Sequence, residues 1–181
     1  MIGECLAEDR EFGIVCVENN EIKKIGCTAR IERIVERYDD GRMDIVTRGD
    51  KRFLIRMTYD DRPYLQAEVT YFDDEAEGRT EEIDELTRKG IELLTKFGQL
   101  TGEREDYTQL LEFEPKTISF WISNNRGFSI EDKQRFLEMT STSARIRKSV
   151  GALKKIVERM KIAREIQRVI GGNGNLRKLD L

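Results

Sequence analysis

The side chains of this 181-residue chain that could do chemistry are few in kind and poorly placed to cooperate. Histidine is absent altogether. That excludes Ser-His-Asp triads, Cys-His dyads and every metal site built on an imidazole. Cys5, Cys16 and Cys27 all fall within the first 27 residues. An odd number of cysteines without a close pair fits neither a disulfide framework nor a zinc site. Reduced thiols in a cytoplasmic protein are the expectation. Cys16 and Cys27 would react only in an exposed, electropositive setting, and their apolar neighbours predict burial instead. Three acidic pairs, Asp39-Asp40, Asp60-Asp61 and Asp73-Asp74, read as turn chemistry rather than as a general acid beside a general base. No GxxxxGK followed by Ser or Thr occurs, and no GxGxxG, so neither phosphate-cradling loop is present. The chain is therefore expected to be no enzyme and to need neither cofactor nor metal.

The elements that would position any other kind of site centre on Ile25–Phe72. Apolar and charged residues alternate there with the two-residue period of half-buried strands. Asp39-Asp40-Gly41 separates Cys27–Tyr38 from Met43–Arg48 and predicts a hairpin. Leu65, Ala67, Val69 and Tyr71 alternate with Gln66, Glu68 and Thr70 in a further strand. Between them, Gly49 in the run Arg48–Phe53 is expected to sit in a turn with positive φ. Ahead of this stretch, Met1, Ile2, Cys5 and Leu6 share one side of a short helix, Phe12–Glu18 is a strand, and Asn19-Asn20 is a turn.

The run Gly26–Ile55 resembles the middle of a LON domain, the N-terminal substrate-recognition domain of Lon-type ATP-dependent proteases. The residues that carry the likeness include Gly26, Thr28, Ile31, Asp40, Gly41, Arg42, Asp44, Ile45, Arg48, Gly49, Arg52, Phe53 and Ile55. The resemblance is good over about residues 1–72 and looser to about residue 160. It implies an α+β fold, a PUA-like antiparallel β-barrel followed by a helical bundle. It also implies that Gly26, Thr28, Asp40, Gly41, Arg48, Gly49, Arg52 and Phe53 serve mainly structure. The family opens with two more strands ahead of the helix matching Met1–Leu6, so the barrel is expected to be incomplete at its N-terminal side or closed some other way. Full Lon proteases carry an ATPase module and a Ser-Lys protease domain after this one. The resemblance thus implies a free-standing LON domain.

From Asp73 onward the period changes to that of helices. Asp73–Gly78 is an acidic loop and the expected boundary. Ile83, Leu86, Leu93, Leu94 and Phe97 recur at helical spacing, with Thr80 as N-cap and Gly102 as stop. A short helix is expected over Asp106–Leu111. Pro115 opens another helix, with Ile118, Trp121 and Ile122 inward. Ser129 with Asp132 caps the next, over Ile130–Glu138. The longest runs over about Ser143–Ile170. Its first half places Ile146, Val150, Leu153 and Val157 on one face. Its second half places Ile162, Ile166 and Val169 on roughly the opposite one, at about 100° per residue. The expected divisions are a β subdomain over 1–75, a helical subdomain over 76–172 and a mobile tail over 173–181.

Charge decides which partners are excluded. The net charge is −3, so no global attraction to nucleic acid or to a membrane is expected. No run approaches the ~20 apolar residues of a membrane span. Ile25–Phe72 holds nine basic and nine acidic residues, which weighs against the RNA binding known for other PUA-like barrels. The last helix is different, with nine basic residues against Glu158 and Glu165. One reading of this charge is a solvated helix face; the other makes Arg145, Lys148, Lys155 and Arg159, with Ile162, Ile166 and Val169, the candidate interaction helix, for an acidic protein or nucleic acid or for the acidic segment of the same or a second chain. Tyr59, Tyr64 and Phe72, near the turns of the third strand, either plug the barrel or are the candidate ligand contacts. Through the resemblance, the ligand implied is unfolded or degron-bearing polypeptide in protein quality control, held by apolar contacts and strand addition. The alternatives are an RNA-binding module and an interaction scaffold built on the basic helix.

Overall fold

A computed structural model describes residues 1–103 and 106–172. The tail expected over 173–181 lies outside the described residues. The chain divides into two compact units, Met1–Asp74 and the residues from Glu75 onward.

The first unit opens with helix α1 (Ile2–Ala7) and continues as four strands, β1 (Phe12–Glu18), β2 (Glu21–Arg37), β3 (Met43–Tyr59) and β4 (Gln66–Phe72). They form an antiparallel meander in the order β1-β2-β3-β4. The expected barrel is present as an open sheet, with β1 and β4 each paired on one side only among the described residues. Asn19 and Asn20 both have positive φ, 51° and 64°. Glu18 pairs with Glu21 across them, which is a two-residue hairpin whose twist suits the strands. At the next reversal Gly41 takes φ 87°, and Asp40 closes the loop by accepting from the Arg42 N–H at 3.1 Å and from Arg42 Nε at 2.7 Å.

Gly49 corrects one expectation. It makes no turn and has no positive φ. It lies inside β3, opposite Ala29, so the two runs read as separate strands are one. The departure from regular pairing is a bulge. Cys27 faces Arg52 and Ala29 faces Gly49, which leaves one extra residue on β3. The Thr28 hydroxyl, buried at the bulge, accepts the Lys51 N–H at 3.0 Å. A side chain from β2 thereby satisfies a donor that the ladder misses.

The second unit holds α2 (Glu81–Thr101), a 3-10 turn (Thr108–Glu112), α3 (Pro115–Ser123), α4 (Ile130–Glu138) and α5 (Thr142–Gly172). The short helix expected over Asp106–Leu111 is that 3-10 turn. The caps follow the sequence signals. Thr80 Oγ1 accepts the Ile83 N–H, Gly102 ends α2 in the left-handed region, and Ser129 Oγ accepts the Asp132 N–H. Ser141 Oγ takes the Ala144 N–H at the start of α5. The acidic linker reaches the same place, where Glu77 Oε2 accepts the Ser143 N–H at 2.9 Å, as the positive end of a helix favours. Ile83, Ile91, Leu94, Phe97, Ile118, Ile122, Phe128, Phe136, Ile146, Val150, Leu153 and Val157 belong to one apolar core. Trp121 does not join it. It is 51% exposed, because the core takes the face of α3 that carries Ile118 and Ile122.

Candidate functional site

Most of the motif residues are spent on holding the sheet. Phe53 is buried, and its ring lies across Gly26. A Cβ at Gly26 would stand 2.5 Å from the Ile14 carbonyl oxygen and 2.6 Å from Phe53 Cζ, so only glycine lets β1, β2 and that ring approach so closely. Thr28 fills the bulge as described. Arg52 is 5% exposed in its side chain, forms ion pairs with Asp74 and with Asp73, and stacks its guanidinium 4.7 Å from the Phe72 ring centroid. It ties β3 to the end of β4. Arg48 remains on the surface, 3.4 Å from Glu32.

The three aromatic candidates part company. Phe72 is half-buried beneath Arg52. Tyr64 donates its hydroxyl proton to Glu4 Oε2 at 2.8 Å and accepts from Arg62 Nη1 at 3.0 Å. It links the β3–β4 connection to α1. That hydrogen bond, with the nearby N-terminal ammonium second, holds the Glu4 carboxyl below its ordinary range. Tyr59, at the end of β3, is exposed.

Tyr59 has apolar company that the sequence reading did not single out. The antiparallel order brings the β1–β2 turn and the β3–β4 connection to the same end of the sheet. Val17 and Ile22 face each other across the first hairpin. Pairing between β2 and β3 stops at Ile25–Leu54, three residues short of both Ile22 and Met57. Leu65 enters β4 just beyond the Tyr59–Gln66 pair. All five of Val17, Ile22, Met57, Tyr59 and Leu65 are exposed. The signal that could have found them is the turn assignment, because two turns on alternate connections of a meander must lie at one end. This end offers apolar contact next to the unpaired edge of β1, where Ile14 is also exposed.

A half-buried carboxylate lies at the start of β1. Glu11 receives Arg30 Nη2 at 3.2 Å and lies 3.8 Å from Lys51 Nζ. A hydrogen bond from Thr28, ahead of the opposing cost of burial, holds its pKa down. Burial raises the Cys27 thiol, which makes it a poor nucleophile. All three cysteines are free thiols. Among the described residues no cluster of Cys, Asp and Glu is placed to hold a metal ion, and no helix is long and apolar enough to cross a membrane.

On α5 the basic residues also divide. Arg145 has no exposed surface. Its guanidinium donates to Ser119 Oγ at 2.8 Å, to the Met139 carbonyl at 2.8 Å and to Thr142 Oγ1 at 3.4 Å, and stacks 3.9 Å from the Phe120 ring. It pins α3 and the α4–α5 link to α5 and is unavailable to a partner, so it leaves the proposed interaction surface. Lys148, Lys155 and Arg159 are exposed. Arg147 pairs with Glu82 of the acidic segment at 2.6 Å. The helix is unbroken to Gly172, and Ile162, Ile166 and Val169 are all exposed, as is Ile170.

Residues 1–155 match the family described as the ATP-dependent protease La (LON) substrate-binding domain. The Lon protease of Cytophaga hutchinsonii is 28% identical over 171 residues, covering 87% of this chain and 21% of that protein. The Lon protease of Dictyoglomus thermophilum is 25% identical over 151 residues, covering 82% and 19%. The chain thus spans about a fifth of the length of these relatives. Among solved structures, the Lon N-terminal domain protein from Xanthomonas campestris superposes with a TM-score of 0.63 at 16% identity, covering 83% of this chain and 80% of that one. The N-terminal domain of Mycobacterium avium complex Lon protease gives 0.63 at 22% identity, covering 84% and 82%. The two superpositions carry the α+β fold, and the match over residues 1–155 carries the membership: the chain belongs to the LON substrate-binding domain family.

Proposed function

We propose that this chain is a non-catalytic polypeptide-binding domain that takes unfolded or degron-bearing segments in protein quality control. The observation that supports it is the apolar end of the open sheet, where Val17, Ile22, Met57, Tyr59 and Leu65 are exposed beside an unpaired strand edge. An extended segment gains main-chain hydrogen bonds along β1 and places apolar side chains on these five, while a folded protein offers neither. Such contacts are weak and tolerant of sequence, which suits a domain that must hold many clients briefly. On this reading the 181 residues turn over no ATP and cut no peptide bond. Binding of a fluorescent, permanently unfolded polypeptide tests it, comparing the unaltered chain with a Val17→Glu/Met57→Glu double variant. The variant is expected to lose most of the binding. Equal binding by both would remove the sheet end from the site.

A second contact is supported by the far end of α5. Ile162, Ile166, Val169 and Ile170 form an exposed stripe on a continuous helix, turned away from the face that carries Leu153 and Val157. Both charge signs flank it, with Glu158 and Glu165 beside Arg159, Arg164 and Arg168. A second copy presents the same stripe and the same mixture, so self-association satisfies both.

A further inference from the structure

The acidic run over residues 73–78 holds the carboxylates of Asp73, Asp74, Glu75 and Glu77. Left to itself, a run of like charge repels itself and extends. Here it is fastened at both ends. On the sheet side, Arg52 pairs with Asp74 and lies 3.7 Å from Asp73. The Arg52 and Asp74 side chains are each 5% exposed. On the helical side, the Glu75 N–H donates to the Thr140 carbonyl at 2.8 Å. The Thr140 hydroxyl donates to Glu75 Oε1 at 3.4 Å, and Glu77 Oε2 accepts the Ser143 N–H at 2.9 Å. Glu75, Ala76, Glu77 and Gly78 are all exposed. Beyond them Arg79 Nε donates to Asp84 Oδ1 at 2.7 Å, and Thr80 caps α2. The Asp74 side chain is thus held within the sheet unit, and the very next N–H within the helical unit.

We propose that residues 75–78 are a releasable strap, latched by Glu77 onto the first turn of α5. Fastened, the strap leaves the backbone angles of Asp74 as the pivot of the connection. Released, it becomes a four-residue tether that reaches about 14 Å. Burial decides which end lets go. The Arg52–Asp74 pair is shielded from water, and shielded charges are screened little. Glu75 and Glu77 are held by hydrogen bonds open to solvent, which exchange for water at little net cost. When the strap leaves, α5 keeps a cap of its own, since Ser141 Oγ accepts the Ala144 N–H at 3.1 Å. Release therefore gives the connection a second range of motion without unfolding any helix or strand. The inference does not depend on what the sheet end binds.

The test is 15N relaxation and amide hydrogen exchange on the full chain, unaltered and as Glu77→Ala and Glu77→Gln. In the unaltered chain, backbone order parameters of residues 75–78 should match those of α2, about 0.85. Glu77→Ala should lower them below about 0.6 and leave those of Asp73 and Asp74 unchanged. Glu77→Gln, whose amide oxygen still accepts the Ser143 N–H, should fall between. The Glu75 amide carries the decisive readout, because its bond to the Thr140 carbonyl is untouched by the substitution. A strap that peels as a unit makes Glu77→Ala speed exchange of the Glu75 and Ser143 amides together, each by roughly tenfold. Glu77 is on the surface, so melting curves of both variants should match that of the unaltered chain. Low order parameters at residues 75–78 in the unaltered chain, a Glu75 amide indifferent to Glu77→Ala, or loosening at Asp74 ahead of residues 75–78 would each overturn the proposal.

Discussion

The two units of the chain solve the same problem with different means. Among the described residues the helical unit buries fourteen apolar residues in one continuous cluster. The sheet unit buries only Cys5, Ala29 and Phe53 among its apolar residues. What specifies the sheet is therefore local and polar: two turns with positive φ, a bulge closed by Thr28, a glycine that admits Phe53, and Arg52 clamped on Asp74. The difference teaches where binding can reside. A side chain committed to a core cannot also meet a partner, and the sheet leaves Ile14, Val17, Ile22, Met57, Tyr59 and Leu65 exposed. The buried arginine of the helical unit obeys this division too, since Arg145 spends its hydrogen bonds inward.

The sharpest way to break the contrast is to remove equal apolar volume from each unit. Leu153→Ala, at a position with no exposed surface, is expected to cost about 3–5 kcal/mol in urea unfolding. Ile14→Ala, on the exposed edge strand, is expected to stay within about 0.5 kcal/mol. Similar costs at the two sites would mean that the sheet edge is covered. Within the sheet, Gly26→Ala should cost about 1–3 kcal/mol, because its Cβ meets, besides the Phe53 ring, the backbone oxygen of Ile14, which cannot turn aside as a side chain can. A neutral Gly26→Ala would show that β1 yields easily and that the close approach is not a constraint.

The turns, caps and helix faces were legible in the sequence because each is written in neighbouring residues. Asn19-Asn20, Asp39-Asp40-Gly41, Thr80 and Ser129 each carry their own instruction. Gly49 was not legible, since the residue that makes a bulge acceptable there is Thr28, on another strand. The sequence groups Arg145 with the surface cations of α5 because the acceptors that draw it inward include Ser119, the Met139 carbonyl and Thr142. Residue type predicts Trp121 inward, yet its position on α3 overrides type. The candidate site was half legible. Tyr59 could be named from the sequence, but Val17, Ile22, Met57 and Leu65 join it only once two turns are placed at one end of one sheet.

Smaller effects sharpen the contrast further. At micromolar concentration the chain should sediment as more than a monomer, and Ile162→Glu with Ile166→Glu should return it to monomer without changing its stability. A monomer from the start would leave the α5 stripe without a second copy. Acid should act on the sheet before the helical core. Glu11 is held below its ordinary value of 4.5, so its contribution is present above that pH and is lost as the pH falls through the lowered value. Amide signals of β1 and of the Thr28–Lys51 bulge are expected to broaden in that acid range while those of α5 stay sharp. Loss of both together would make the two units one cooperative system.

The central claim is that the apolar end of the sheet holds polypeptide. Cross-linking states it most directly. A photoreactive group placed at Tyr59 should capture a permanently unfolded polypeptide, and an excess of the same unlabelled polypeptide should abolish the capture, whereas a folded protein should not. The same group placed at Lys133 on α4 should capture little of that polypeptide. Equal capture at both positions, or capture at Tyr59 that unlabelled polypeptide does not reduce, would contradict the account.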